Sequence, residues 1–261
     1  MPTYQADAIV LRRLDYGEAD RILTLLTREH GKLSAIARGA RKSQARAGAL
    51  DLFGRSRMML AKGHNLDVVA QVERRGDARH ISGDMQRTAY ASLVAEVVDK
   101  VLEDRHPVDD VFDLVVETLD RLNLPSRSSR ADACWFLMRI LDLLGYQPQL
   151  QDCAGCGAAS PSPSTGEGRG GGAAENRVWF SPLLGGLLCP RCGGHDQAGS
   201  ALSLTAVKVL RVMQAGDGAL YDRLRLTPEL LDEVERALED QLEYHLDRHL
   251  KSLDFLRSVR G

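Results

Sequence analysis

Four of the five cysteines in this 261-residue chain fall into two close pairs. Cys153 and Cys156 form one C-x-x-C pair, Cys189 and Cys192 form the other, and 32 residues lie between the pairs. Two intervening residues let both thiolates of a pair bind one ion, and four thiolates complete the closed tetrahedral shell of a structural zinc site. The spacing therefore predicts one structural Zn²⁺ in a module at 150–195. A redox dithiol and a metal-free module held by packing are the alternatives.

A run of cations lies between residues 38 and 46. Four positive side chains fall within a short stretch, at Arg38, Arg41, Lys42 and Arg46. Mobile arginine and lysine side chains bind phosphates through charge and counterion release, largely without reading base sequence. Four arginines on or beside neighbouring strands extend the predicted DNA-binding surface: Arg12, Arg13, Arg55 and Arg57. A solvated basic loop without a ligand is the alternative.

Charge is distributed unevenly along the chain. Residues 1–80 contain 15 lysines and arginines against 9 acidic residues, although the whole chain has a formal net charge of −2. Residues 81–261 are therefore acidic, and the asymmetry predicts two domains, of which the basic one contacts a polyanion. No apolar run is long enough to span a membrane, and the N-terminal residues do not have the pattern of a signal peptide. We therefore expect a cytoplasmic protein with no membrane partner.

Aromatic side chains are scarce in the basic part of the chain. Residues 1–80 offer only Tyr4, Tyr16 and Phe53. Proteins specialised for single strands stack bases on such side chains. We therefore expect mainly electrostatic binding that tolerates single and double strands. The log–log salt slope should be roughly −3 to −5, which corresponds to about four to six phosphate contacts.

The first part of the chain has the pattern of short strands separated by turns. Five segments have strand character, at 6–13, 21–27, 33–38, 57–60 and 67–73. Glycine and other turn residues separate them. Five short strands favour a small closed barrel, and an OB-fold has that strand count. An SH3-like barrel would give a similar pattern.

Helical periodicity begins after residue 84. Helices are predicted over 85–102, from 107 onward, over 131–144, over 205–214, and from Pro228 to about residue 250 after the N-cap Thr227. The cysteine module interrupts them, and its Ser-, Pro- and Gly-rich stretch at 158–176 is predicted to be a flexible loop. The sequence thus predicts an α+β protein. It has a five-stranded OB-fold barrel at 1–80 and an α-helical domain at 81–261, with a four-cysteine zinc finger inserted at 150–195.

Motifs typical of enzymes are missing from the sequence. It contains no G-x-x-x-x-G-K-[ST] phosphate loop and no G-x-S-x-G nucleophile elbow. His245 and His249 lie four residues apart, but Leu246 occupies the position where a zincin has glutamate. We therefore expect no catalytic residues. A zinc-ribbon adaptor that binds partners without annealing DNA, and an enzyme of nucleic-acid processing, are the alternatives.

Several segments resemble the RecO family and follow one another in the family's order. In the N-terminal part they are AIVLR at 8–12, YGEADR at 16–21, TREHGKL at 27–33 and ARGA at 37–40. The cysteine module resembles that of the family, with Phe180-Ser-Pro182 and Gly185-Gly186 shortly before Cys189. Residues 242–253 resemble the family's closing helix.

The resemblance implies an N-terminal OB-fold, a helical domain with a zinc finger, and a non-enzymatic role in recombinational DNA repair. It implies binding of single- and double-stranded DNA and annealing of complementary strands. It also implies that the protein acts with RecR to load RecA onto DNA coated by single-strand-binding protein, whose C-terminal tail is a further partner. The expected location is then the nucleoid. On this sequence the resemblance assigns the DNA loop to Arg38, Arg41, Lys42 and Arg46, and zinc binding to the four paired cysteines.

Overall fold

The computed structural model describes residues 2–159, 177–196, 198–247 and 249–260. The chain divides into two compact units: Met1–Ser129 together with Leu250–Gly261, and Arg130–His249. The end of the chain therefore belongs to the first unit. Residues 160–176 of the predicted flexible loop lie outside the described residues. Within the described part of the chain, no helix is long and apolar enough to cross a membrane.

The first unit contains five strands, which are β1 (Thr3–Tyr16), β2 (Asp20–Thr27), β3 (Gly31–Ala37), β4 (Arg55–Ala61) and β5 (Asp67–Arg74). They form a closed barrel in the order β1-β2-β3-β5-β4. β3 and β5 pair in parallel, whereas the other neighbours are antiparallel and β1 closes the barrel against β4. The predicted five-stranded OB-fold barrel is confirmed.

Alternating side chains fill the barrel. Successive residues of a strand point to opposite faces, so Leu33, Ala35 and Ala37 of β3 enter the core together. The core also takes residues from every other strand and from the segment between β3 and β4: Ala6, Ala8, Val10, Leu23, Leu25, Ala40, Leu50, Met58, Leu60 and Val69. A bulge between Val10 and Arg12 shifts the pairing of β1 with β2. The bulge therefore determines which side chains of β1 after Val10 point to solvent.

Five helices complete the first unit. They are α1 (Gln44–Ala49), α2 (Arg79–Ser82), α3 (Met85–Val101), α4 (Asp109–Leu122) and the C-terminal helix (Lys251–Arg260). The Glu96 carboxylate of α3 accepts hydrogen bonds from the backbone N–H groups of Lys251 (3.2 Å) and Ser252 (2.7 Å). The C-terminal helix is thus held by a residue far away in sequence, because its first N–H groups have no partner within the helix.

A buried arginine closes the end of α4. Arg87 of α3 is 9% exposed. Its guanidinium donates hydrogen bonds to four backbone carbonyls in and after the last turn of α4, those of Leu122, Leu124, Pro125 and Arg127. The last carbonyls of a helix lack intrahelical partners, and Arg87 supplies them with donors through one buried and three partly buried hydrogen bonds.

A second polar network joins the barrel to the loop after α3. The fully buried Asp67 carboxylate accepts hydrogen bonds from the Gly63 N–H (2.9 Å), the Arg105 guanidinium (3.0 Å) and the Tyr4 hydroxyl. Burial alone would raise the pKa of Asp67, but hydrogen bonds from Tyr4, Gly63 and Arg105 outweigh it and hold the pKa below its ordinary value. Burial and the contact with Asp67 raise the pKa of Tyr4 to about 12.

The second unit is mainly helical. In chain order its elements are α5 (Ser129–Leu143), β6 (Arg177–Ser181), β7 (Gly186–Leu188), α6 (Pro190–Gly193), β8 (Ser200–Ser203), α7 (Leu204–Gln214), α8 (Gly218–Tyr221) and α9 (Pro228–Leu246); the C-terminal helix of the first unit is α10. The Arg130 guanidinium of α5 bonds to the carboxylates of Glu235, at 2.6 Å, and Asp232, which fixes α5 against α9.

One predicted helix boundary is wrong. The helix that begins at Pro228 was expected to reach about residue 250, but α9 ends at Leu246. Asp247 follows in the left-handed backbone region, with φ 46°, which a right-handed helix cannot continue through. The separate helix α10 then begins at Lys251.

Candidate metal centre and nucleic-acid interface

The two cysteine pairs meet at one point of the second unit. The Sγ atoms of Cys153, Cys156, Cys189 and Cys192 all lie within 4.8 Å of one another. The Cys156 and Cys189 sulfurs are 3.8 Å apart. Four sulfurs at about 2.3 Å from a tetrahedral zinc ion would be roughly 3.8 Å from one another. The four thiols are therefore close enough to one another to bind one metal ion, and the Cys156–Cys189 separation equals that of a tetrahedral shell.

A small sheet and two tight turns position the cysteines. Strands β7, β6 and β8 form an antiparallel sheet, and β7 leads directly into Cys189, the N-cap of α6. The Ala154 N–H donates to the Leu187 carbonyl at 2.7 Å, which holds the first cysteine pair beside β7. A side chain at Gly193 would collide with the Trp179 indole, so the turn after Cys192 requires glycine.

Hydrogen bonds within the cluster lower the pKa of one thiol and raise that of another. Burial raises the pKa of Cys153, but the backbone N–H groups of Cys189, Cys156 and Gly155 donate to its sulfur and lower the pKa to about 6. Hydrogen bonds with the Cys156 and Cys189 sulfurs raise the pKa of Cys192 to about 12. Cys153 is therefore deprotonated more readily than Cys192, and because only a thiolate binds a metal, metal binding must release protons.

The sequence did not reveal the sheet that carries this site. β6 has five residues, β7 three and β8 four. The local signal is only the apolar run Val178-Trp179-Phe180, which does not alternate in sequence. Strands this short are below the length at which alternation distinguishes a strand from a loop.

Three of the cations predicted to bind DNA stand on the turn that follows β3. This basic turn exposes Arg38, Arg41 and Lys42. Two hydrogen bonds fix it against the β1–β2 hairpin: the Arg41 N–H donates to the Ala19 carbonyl at 2.9 Å, and the Gly39 N–H donates to the Asp20 carboxylate at 2.8 Å. The charged side chains therefore project from a turn whose backbone is held in place.

The cations of the basic turn differ in whether a carboxylate lies close to them. Within residues 2–159 and the other described segments, Arg38 and Lys42 form no ion pair. The Arg41 guanidinium lies 3.6 Å from the Asp15 carboxylate and donates to the Gly17 carbonyl at 3.2 Å. Arg38 and Lys42 can thus offer a full charge to a ligand, whereas Arg41 shares its charge with Asp15.

Arg46, the fourth cation of the run, is less exposed than the three cations of the basic turn. The predicted basic loop is helical in its second half, where Ser43 caps α1 by accepting a hydrogen bond from the Arg46 N–H at 3.3 Å. The Arg46 side chain is half-buried and donates to the Val69 carbonyl. The basic segment is therefore helical from Gln44 onward, because Ser43 caps α1.

The four strand-associated arginines are distributed over two regions of the barrel surface. Arg12 of β1 is exposed and, among the described residues, has no ion-pair partner. Arg13 pairs with Asp51 at 2.8 Å, and Arg55 pairs with Asp7 at 2.8 Å. Arg57 of β4 is exposed and donates to the Gln5 amide oxygen at 2.9 Å. The structure thus brings Arg12 to the side of the barrel where β1, β2 and the basic turn lie, and places Arg55 and Arg57 on β4.

Comparison with known families identifies the chain. The family profile described as Recombination protein O N terminal matches residues 1–76, and that described as Recombination protein O C terminal matches residues 82–254. The chain belongs to the RecO family. RecO is a family of DNA repair proteins, so the resemblance predicted from the sequence is confirmed.

Full-length relatives agree with this assignment to the RecO family. The DNA repair protein RecO of Symbiobacterium thermophilum is 36% identical over 262 residues, which cover 100% of this chain and 99% of that protein. The DNA repair protein RecO of a Roseiflexus species is 38% identical over 98% of this chain and 86% of its own length. That of Desulfatibacillum aliphaticivorans is 34% identical over 100% of this chain and 98% of its own length. The similarity therefore spans the barrel, the helices and the cysteine module.

Proposed function

We propose that this RecO family protein is a recombination mediator that binds single- and double-stranded DNA through its barrel. The observation that carries the proposal is the basic turn, with Arg38, Arg41 and Lys42 exposed on a backbone that is hydrogen-bonded to the β1–β2 hairpin. Cations held in this way neutralise phosphates without reading base sequence, which suits a protein that must act at any site of damage.

The eight predicted DNA-binding cations contribute unequally in this proposal. Arg12, Arg38, Arg41 and Lys42 form the primary contact. Arg13 and Arg55 must first give up carboxylate partners at 2.8 Å, so their charges are partly neutralised before DNA arrives. Arg46 and Arg57, which donate to a carbonyl and an amide oxygen, are secondary contacts. We expect the salt dependence of binding to come mainly from the primary set.

Strand annealing follows from charge neutralisation. Two complementary strands repel each other through their phosphates, and single-strand-binding protein keeps them apart. A basic barrel lowers the repulsion and lets base pairing proceed, with no covalent step and no catalytic residue. Binding to DNA would place the protein on the nucleoid in the cytoplasm.

The remaining residues serve protein partners in this proposal. Residues 1–80 are the DNA-binding domain and 81–261 the helical domain with the cysteine module at 150–195, although 81–129 and 250–261 belong to the same compact unit as the barrel. The helical domain is acidic overall and binds RecR and the C-terminal tail of single-strand-binding protein. RecA is loaded indirectly, through these partners. The acidic charge keeps this domain away from the DNA that the barrel holds.

The cysteine cluster is proposed to hold one Zn²⁺. Thiolate ligands favour zinc, and the 3.8 Å separation of the Cys156 and Cys189 sulfurs fits a tetrahedral shell. Four protein ligands leave no open position, so the ion would supply folding energy to the module and no reaction chemistry. Cys153 and Cys156 would hold it from one turn, Cys189 and Cys192 from the other.

A loading assay tests the mediator function. A long single strand is coated with the cognate single-strand-binding protein, RecA is added, and RecA assembly is followed with this protein and RecR present together or singly. We expect faster assembly only when both are present. Binding of RecR and of the tail without any acceleration, in folded protein with one zinc per chain, would contradict the mediator function and favour an adaptor.

A further inference from the structure

The outer face of the barrel carries an apolar strip. Residues directly opposite each other in a sheet lie on the same face, and Leu14 of β1 is opposite Ile22 of β2, which is opposite Ile36 of β3. Their neighbours Leu23 and Ala35 point into the core, so these three side chains point outward. Tyr16 lies two residues beyond Leu14 on the same face. We call Leu14, Tyr16, Ile22 and Ile36 the apolar strip.

Leu14 and Tyr16 of the apolar strip are exposed and Ile22 and Ile36 are half-buried, whereas the continuation of the same face is buried. Leu14 is 61% exposed and Tyr16 is 56% exposed. Further along the strands, Ile9 and Leu26 also point away from the core cluster, and each is only 1% exposed. The first unit therefore buries one half of this face and leaves Leu14 and Tyr16 exposed on the other half.

Three arginines border the apolar strip, and the Asp20 carboxylate directly opposite Tyr16 accepts a hydrogen bond from the Gly39 N–H. Arg12 precedes Leu14 by two residues and so shares its face, and Arg38 follows Ile36 by two residues at the end of β3. Arg41 reaches the other end of the strip by donating to the Gly17 carbonyl of the β1–β2 hairpin. An apolar surface rimmed by cations complements a polymer that offers flat apolar rings along an anionic backbone. A single nucleic-acid strand with unstacked bases has this chemistry, whereas a duplex hides the faces of its bases.

Tyr16 differs from the other aromatic side chains of the barrel part. The Tyr4 hydroxyl is bonded to Asp67, and its ring packs edge-on against His30 with 4.4 Å between ring centres. Phe53 is 7% exposed. Within the described residues up to 80, only Tyr16 among the three offers an open ring face.

We propose that the Tyr16 ring, supported by Leu14, stacks on an unpaired base of single-stranded DNA while Arg12 and Arg38 hold the flanking phosphates. The inference rests on the proposed DNA-binding function and adds to it a means of distinguishing single strands from duplex. Electrostatic contact alone does not distinguish a strand with bases from one without. The stacking contact does, because it requires an accessible base.

Three labelled ligands and the full-length protein test the contact. The ligands are an oligo-dT, an abasic oligomer of the same length, and a duplex. Tyr16→Ser should weaken oligo-dT binding at least about fivefold, as expected for loss of one stacked base, and leave abasic and duplex binding within about twofold. Tyr16→Phe keeps the ring and should bind as the wild type does. Tyr244→Ser, which removes a 48% exposed tyrosine from the second unit, is the matched control.

The possible results distinguish base stacking by Tyr16 from DNA binding by the barrel. Unchanged oligo-dT affinity in Tyr16→Ser, with duplex binding intact, would overturn the stacking contact and leave DNA binding standing. An equal loss for all three ligands would also overturn it, because the side chain would then act on the fold or on phosphate binding. Loss of RecR binding instead of oligo-dT binding would assign the apolar strip to a protein partner. Wild-type protein that binds none of the three ligands would overturn both proposals.

Discussion

Removing the charges of the basic turn should flatten the salt dependence of DNA binding. Each phosphate contact made by a cation contributes about −0.9 to the slope of log K against log salt for duplex DNA and about −0.7 for a single strand. Arg38 and Lys42 are exposed and, among the described residues, without ion pairs, so each should count in full. Arg41 lies 3.6 Å from Asp15 and should count in part.

The size of the effect follows from these contacts. The triple variant Arg38→Ala, Arg41→Ala, Lys42→Ala should make the duplex slope less steep by about 2. Between about 50 and 200 mM salt, the wild type should then lose about 16-fold more affinity than the variant. Fluorescence anisotropy with a labelled duplex, repeated over a salt series, measures both slopes directly.

A second triple variant controls for net charge. Arg223, Arg225 and Arg236 are exposed residues of the second unit, and changing all three to alanine removes the same charge. This control should shift the slope by less than about 0.5. Equal shifts in the two triple variants would show that binding responds to overall charge and not to the basic turn.

Three further predictions concern stability and metal binding. Cys192→Ser removes one of four ligands, so zinc content by elemental analysis should fall well below one per chain and the melting temperature should fall with it. Asp67 has a lowered pKa, so the stability that it contributes is present above its unfolded pKa and is lost as the pH falls through its folded pKa. Asp67→Asn should lower stability by about 1–3 kcal/mol at pH 7 and flatten the dependence of denaturation midpoints on pH below about 5. Arg87→Met leaves one buried and three partly buried carbonyls without their donor and should cost about 1–3 kcal/mol in urea unfolding.

Each of these predictions has its own control. Cys134→Ala changes the cysteine outside the cluster and should keep the metal; loss of zinc in both variants would mean that the cysteine cluster is not its ligand set. Asp51→Asn changes a 57% exposed carboxylate and should leave acid stability nearly unchanged. An Asp67→Asn protein with the same acid profile as the wild type would contradict the proposed network. Arg87→Lys retains a charge and fewer donors, so its stability should fall between those of the wild type and Arg87→Met.

The sequence predicted the parts of the fold that depend on local pattern. The alternation at Leu33, Ala35 and Ala37 identified a strand because those side chains fill the barrel. The two C-x-x-C pairs predicted a metal site because a pair needs only a tight turn to aim both sulfurs at one point. The structure brings the four sulfurs within 4.8 Å of one another, although many residues separate the pairs in sequence.

Features that depend on distant contacts were not predicted. The return of α10 to the first unit depends on Glu96, which bonds to Lys251 and Ser252 from the middle of α3. Similarly, the outward direction of Tyr16 depends on the bulge between Val10 and Arg12, which changes the side of β1 that faces solvent. No local pattern marks either feature, because each arises only when strands and helices pair in three dimensions.

Strand annealing is the decisive test of the proposed mediator function. Two complementary oligonucleotides are each coated with the cognate single-strand-binding protein, mixed, and followed for duplex formation with and without this protein. We predict that the wild type accelerates annealing and that the Arg38, Arg41, Lys42 triple variant, folded and carrying zinc, does not. Acceleration by the triple variant equal to that of the wild type would contradict the assigned DNA site. No acceleration by folded wild-type protein would contradict the mediator function itself.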